Sequence, residues 1–370
     1  MIKREEGFTL VELLITMVVF VLTIAAATGI FVPILTQFKQ QSKIAESNIE
    51  GIIGLELLRK DIEQAGFGIP WVVPTAVSYN EAAAAPASLY NDSPSDPPRA
   101  ILSGDDAGTN GSDYLVIKAT SVSTSEPTVK WTYVTGTGGG GSTVHIWGNT
   151  TEDLVSGLDR VIVIIPSRGE NNQKVLVNDG ASFYDIFDSA NFPAGFAPAT
   201  SNDRYLVYGV DSVNLRMPFN RADYYISTTN VPPRCAPTTG VLMKGLINHG
   251  DGTRNPEIPL FDCVADMQII FRSDTDDDGV IDNEASDISG LTANQIRQQL
   301  KEVRVYILAH EGQKDATYRY QSNSIYVGAD ETIPQALNLG RNFDLTPIAD
   351  YQNYRWKIYT IVVKPDNLRG

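Results

Sequence analysis

The sequence predicts an α+β protein, a long N-terminal helix packed on an antiparallel β-sheet head. Three observations carry that expectation. An apolar run from Phe8 to Leu35 holds a single ionisable side chain, Glu12. A helix-period pattern continues from there to about Ala65. Beyond Trp71 the chain breaks into short β-like runs separated by turn residues.

The first run comprises 28 residues, and ~20 apolar residues suffice to cross a bilayer. A secretory signal has a shorter apolar core closed by a small-residue cleavage site; here the run passes Ala25-Ala26-Ala27 and continues through Ile30-Phe31-Val32. A plain anchor explains the length but not Glu12. A carboxylate at that depth costs ~2.5–3.5 kcal/mol, so it calls for a partner.

The helical pattern outlasts the apolar run. Pro33 is expected to kink the helix rather than end it, because periodicity resumes afterwards. Phe38, Ala45, Ile49, Ile52, Leu55, Leu58, Ile62 and Ala65 mark one face of an amphipathic segment, with Lys39, Lys43, Glu46, Glu50, Arg59, Lys60 and Glu63 mostly off it. Gly51 and Gly54 weaken the helix by up to ~1 kcal/mol each but permit close packing. Gly66, Gly68 and Pro70 supply the stop. A helix over residues 8–65 would be about 87 Å long at ~1.5 Å per residue.

In the head, residues 74–112 are rich in Ala, Pro, Ser, Asp and Gly and read as irregular surface structure. Strand-like runs follow at residues 114–117, 129–134, 144–147, 160–165, 174–177, 205–210, 213–217, 264–272, 303–309 and 354–363. Arg304-Val305-Tyr306-Ile307 and Arg355-Trp356-Lys357-Ile358-Tyr359 alternate as half-buried strands should. Residues 292–300 suit a short helix with Thr292 as N-cap. No internal repeat is evident.

The formal charge is −15, of which −2 lies up to Ala65, leaving an acidic head. That balance argues against a nucleic-acid-binding surface, which needs a basic footprint.

Gly7-Phe8-Thr9-Leu10-Val11-Glu12-Leu13-Leu14 closely resembles the processing site of type IV pilins and pseudopilins. The resemblance implies a leader at residues 1–7, cleavage after Gly7 by a prepilin peptidase, and N-methylation of the new terminus at Phe8. It implies a membrane-spanning and filament-core half-helix at residues 8–35, an amphipathic half at 36–65 and a periplasmic head at 66–370. The chain would sit as a single-pass inner-membrane protein before entering a pilus. Lys3 and Arg4 suit a cytoplasmic leader, although Glu5 and Glu6 blunt that signal. Glu12 would pair with the N-terminal amine of a neighbouring subunit, offsetting two desolvation costs and selecting axial register.

Later stretches are similar to the PilW-type minor pilins: Leu57 to Gly68, Asp262 to Gln268, the acidic loop after it, Lys301 to Val305 and the closing strand near Tyr354 to Val363. Residues 74–200 show no family pattern. The branch implies a non-enzymatic, assembly-priming subunit at or near the tip of a type IV pilus, working with other minor pilins, the major pilin and a large tip adhesin. A J-type minor pseudopilin of type II secretion is the nearest alternative, but those chains are shorter. An anchored periplasmic enzyme or ligand-binding protein is the alternative of another class.

Cys235 and Cys263 are the only cysteines. In an oxidising compartment they can form a disulfide, which would stabilise by roughly 3–4 kcal/mol; the alternative is two unrelated buried thiols. Asp274-Thr275-Asp276-Asp277-Asp278-Gly279-Val280-Ile281-Asp282 begins like a calcium loop. Asp274, Asp276, Asp278, the Val280 carbonyl and Asp282 are candidate Ca²⁺ ligands within a loop spanning 274–287. The twelfth place is Ala285, so the usual closing carboxylate is missing; Glu284 or Asp287 could substitute with different geometry. The alternative is a solvated acidic turn.

Gly136-Thr137-Gly138-Gly139-Gly140-Gly141 formally fits a dinucleotide motif but leads into a strand pattern, not a helix, and reads as a hairpin loop. His145, His249 and His310 show no zinc-type spacing, and no nucleophile elbow or Walker loop is present.

Overall fold

A computed structural model describes residues 7, 9–138, 141–166, 173–201 and 203–368. Helix α1 (Leu10–Glu63) runs for 54 residues and continues through position 33. It ends where Gly66 and Gly68 adopt φ of 84° and 68°, a conformation that costs glycine little.

The head contains β1 (Ile101–Gly104), β2 (Tyr114–Ala119), β3 (Trp131–Gly138), β4 (Gly141–Val144), β5 (Arg160–Ile165), β6 (Val175–Leu176), β7 (Asp185–Ile186) and β8 (Arg204–Asp211). It continues with β9 (Asn220–Ser227), β10 (Gly240–Ile247), β11 (Arg254–Ser273), β12 (Asn283–Ala285), α2 (Ala293–Gln299), β13 (Leu300–Glu311), β14 (Ser324–Val327), β15 (Arg341–Asp344) and β16 (Arg355–Val363). The main sheet is antiparallel and eight-stranded, in the order β1-β2-β9-β10-β11-β13-β16 with β12 paired to β11. A six-stranded sheet, β4-β3-β8-β5-β6 with β7 on β5, and the β14–β15 hairpin complete the head. The fold is α+β, with α1 lying on β11, β13 and β16.

The C-terminal part of α1 seats Leu55, Leu58 and Ile62, and the turn after it Ala65, in the main core beside Val264, Met267, Val305 and Ile307. Ile52, expected on that face, is 62% exposed. Gly51 and Gly54 occupy the seat instead. A Cβ at Gly54 would lie 1.9 Å from the Leu260 carbonyl oxygen, and one at Gly51 would lie 2.4 Å from the Phe261 ring. The missing side chains let the helix backbone close onto β11. Asp61, also buried, accepts hydrogen bonds from Lys244 Nζ on β10 (2.5 Å) and from the Tyr224 hydroxyl on β9. Burial pushes the Asp61 carboxyl up, and Lys244 and Tyr224 pull it back.

Several expectations need correction. β1 lies inside the stretch read as irregular surface, and Val77, Tyr79, Glu81, Ala82 and Ala87 there are buried. Residues 213–217 form no strand; Leu215 and Met217 are buried within a bend. β9 and β10 were not expected, because buried Arg221, Asp223 and Lys244 break their apolar pattern. β13 is buried on both faces rather than one: Val303, Val305 and Ile307 face the α1 side, while Tyr306 and Leu308 join a second core with Val327, Phe343 and Trp356. The Gly-rich stretch falls at the β3–β4 turn, and Gly139 and Gly140 lie outside the described residues.

Candidate functional site

The N-terminus of α1 is capped by two residues of the processing motif, Thr9 and Glu12. Gly7 is exposed, and a Cβ there would meet nothing within 4 Å. Phe8 lies outside the described residues. Thr9, extended at φ −72° and ψ 149°, is the N-cap. Its hydroxyl oxygen accepts the Glu12 N–H (3.3 Å), while Glu12 Oε2 accepts the Thr9 N–H (3.0 Å) and hydroxyl (2.9 Å). This reciprocal capping box satisfies donors that a helix start otherwise leaves free. The awkward carboxylate therefore has a partner within its own chain. The spacing Thr9-x-x-Glu12 signals such a box, and the sequence reading passed over it.

Beyond the cap, Leu10–Phe31 is a 22-residue span of mean hydropathy 2.6 with none of it buried. It is the one helix among the described residues long and apolar enough to cross a membrane. At ~1.5 Å per residue it reaches about 33 Å, close to the ~30 Å hydrocarbon core. Its threonines suit such surroundings. The hydroxyls of Thr16, Thr23 and Thr28 donate to the carbonyls of Leu13 (2.9 Å), Val19 (2.7 Å) and Ile24 (2.8 Å), so no hydroxyl proton is left for lipid to solvate.

The head holds the remaining predicted residues. Cys235 and Cys263 form a disulfide (S–S 2.05 Å) that ties the β9–β10 loop to β11. Carboxylate oxygens of Asp274, Asp276 and Asp278 lie within 4.8 Å of one another, and the ring begins where β11 ends. Val280 is exposed beside them. Asp282 is held by Thr275, accepting its N–H (3.0 Å) and hydroxyl (2.7 Å). Glu284 does not join the ring. The β11–β12 register sets it opposite Arg272, with which it forms an ion pair (3.3 Å).

Two histidines are structural. His249 Nδ1 accepts the Arg216 N–H (3.0 Å), and His310 Nε2 accepts the Ala236 N–H (2.8 Å). Burial pushes both imidazoles down to about 4, so they are neutral near pH 7.

Sequence reading missed a buried charge network under the 74–100 stretch. Lys118 Nζ lies 2.7 Å from Glu81 and 2.6 Å from Asp92. Arg221 bonds Glu81 (2.9 Å) and forks onto Asp223 (2.7 and 3.1 Å), which also accepts the Tyr114 hydroxyl (2.5 Å). The network fastens an irregular segment to β2 and β9, where regular backbone pairing could not.

Comparison with known proteins bears on the N-terminus alone. The family model for the prokaryotic N-terminal methylation motif matches residues 2–28. No curated protein and no solved structure matches the chain. The matched residues contain the cap, Glu12 and most of the exposed span, which suit membrane anchoring and assembly with other pilins after processing by a prepilin peptidase. That motif makes the N-terminus prepilin-like and supports a pilin- or pseudopilin-type subunit.

Proposed function

We propose that the chain is a PilW-type minor pilin that primes assembly at or near the tip of a type IV pilus. The carrying observation is a methylation-motif helix, apolar on every side for its first half, bearing a very large head on its second. Packed helices sit ~8–10 Å apart. A head of about 300 residues has a radius of gyration near 19 Å. Heads of that width crowd one another along a filament of closely packed helices but fit at its end, which favours a low-copy terminal subunit. Its neighbours are other minor pilins and the major pilin, and a large adhesin can sit on the exposed end.

Glu12 is the assembly residue in this reading. In the isolated chain it caps its own helix. In a filament it exchanges part of that role for a charge-assisted contact with a neighbour's N-terminal amine.

Two variants separate the roles. Glu12→Gln keeps a capping side chain but loses the charge; Glu12→Ala loses both. Both should still be cleaved after Gly7 and methylated at Phe8, as N-terminal mass spectrometry reads. Both should be depleted at least tenfold from sheared surface filaments. Normal incorporation of Glu12→Gln would reduce Glu12 to a cap. An unprocessed Met1 terminus in the wild type would sink the pilin reading, and absence of the wild type from surface filaments would favour a secretion pseudopilus.

A further inference from the structure

The β11–β12 connection carries a feature that the pilin reading does not use. Asp274 is 1% exposed, and its Oδ1 has no hydrogen-bond partner. Its other oxygen, Oδ2, accepts the Gly279 N–H (2.9 Å), which closes the loop into a ring. Gly279 has φ of 89° and permits that turn. Leaving a buried carboxylate oxygen unpaired is costly, so its retention needs a reason. Carboxylates of Asp276 and Asp278 converge with Asp274 to within 4.8 Å. Charges that close repel unless a cation lies between them.

We propose that Asp274, Asp276 and Asp278, with the main-chain carbonyl of Val280, bind a Ca²⁺ ion, with Asp274 Oδ1 as the innermost ligand. An all-oxygen set of carboxylates and a carbonyl on one short loop suits Ca²⁺, which takes six to eight such ligands. Mg²⁺ demands a tighter octahedron and retains its waters. Exposure of Asp276 and Asp278 leaves room for water to complete the shell.

The site lacks a closing bidentate carboxylate, since Glu284 is engaged by Arg272. It therefore belongs with weak extracellular-type sites, with Kd roughly 10⁻⁴–10⁻³ M. Lys301 supplies a partial internal counter-charge. Its Nζ lies 3.8 Å from Asp274 and 3.6 Å from Asp277, and it donates to the Gln298 carbonyl (2.8 Å). The loop is also fastened to the α2–β13 junction, because the Asp274 N–H donates to the Gln299 carbonyl (2.9 Å). Bound Ca²⁺ would join the ends of β11, β12 and α2.

The test uses the full chain in detergent micelles, stripped with EGTA and titrated with Ca²⁺ by calorimetry. Melting is then compared in 10 mM CaCl₂ and in NaCl of equal ionic strength. Ca²⁺ should bind in the stated range and raise the Tm above the NaCl control, and Mg²⁺ should bind at least tenfold more weakly. Asp278→Asn, at an exposed position that leaves the fold intact, should weaken Ca²⁺ at least tenfold. Lys301→Met should tighten it severalfold, the opposite of what damaged folding would give. Equal melting in CaCl₂ and NaCl, unchanged affinity in Asp278→Asn, or no gain in Lys301→Met would each overturn the assignment.

Discussion

From Leu10 to Leu35, α1 exposes every large apolar side chain described, from 42% at Leu35 to 79% at Leu10. From Gly51 to Glu63 the same helix is one-sided, with Leu58 and Ile62 fully buried and Ile52 and Ile53 in solvent. The first half is apolar all round, which fits only surroundings apolar all round, lipid or sister helices. The second half is marked by two glycines and one buried carboxylate at its contact face rather than by extra hydrophobicity. Greasiness alone thus does not say which part of a long helix its own chain covers. Small residues and a specified charge partner do.

The sharpest way to break that contrast is at Asp61. Asp61→Ala leaves Lys244, 3% exposed, and the Tyr224 hydroxyl without their acceptor. Removing one member of a buried pair costs roughly 3–5 kcal/mol. Urea unfolding of the micelle-bound chain should show that loss in the head. Asp61→Ala combined with Lys244→Met should recover most of it, because no charge is then stranded. A single-variant cost below about 1 kcal/mol would mean that glycine packing alone holds the seam.

pH should divide the two regions next. Asp113 is buried beside Asp105 and Asp266, and burial first, then those neighbours, raise its carboxyl to about 8, against the pull of the Asp106 and Ile269 N–H groups. The folded state thus holds a proton that the unfolded chain releases near 4. The stability contributed by this one group is fully present below about 4 and falls as pH rises towards 8, by up to about 1.4 kcal/mol per pH unit. Head melting should therefore drop between about pH 7 and 8, above the range in which the neutral His249 and His310 make stability rise with pH, and Asp113→Asn should flatten the slope. The helicity of the Leu10–Phe31 span should not change across that range. A span that melted with the head would couple the two regions.

Much of this architecture was legible in local sequence. The full run of α1, α2 with its Thr292 cap, and strands such as β2, β5 and β13 follow from periodicity and turn residues within a few positions. β9 and β10 were not legible, because their charges are satisfied in part from far along the chain. Arg221 meets Glu81 across 140 positions, and Lys244 meets Asp61 across 183. No local window contains both partners, so a core strand reads as polar. Glu284 failed for a related reason: loop spacing offered it to the cation, whereas strand register gave it to Arg272. The capping role of Glu12 was the opposite case, written in four consecutive residues and overlooked in favour of a distant partner.

The smallest expected effects come from one substitution made twice. Gly54→Ala puts a methyl 1.9 Å from the Leu260 carbonyl, part of the β11 backbone, which cannot rotate aside as a ring could. The helix must lift or the strand must bend, at a cost of ~1–3 kcal/mol. Gly29→Ala meets nothing within 4 Å and replaces the poorest ordinary helix former with the best, a gain of up to ~1 kcal/mol in helix formation. The pair should therefore change sign along one helix. Gly54→Ala should lower head stability by urea unfolding while leaving the helicity of the span intact. Gly29→Ala should raise helicity in micelles while leaving head unfolding unchanged. If Gly29→Ala also weakened the head, the exposed half would be bearing on the sheet after all, and the division of α1 into a covered and an uncovered half would fail.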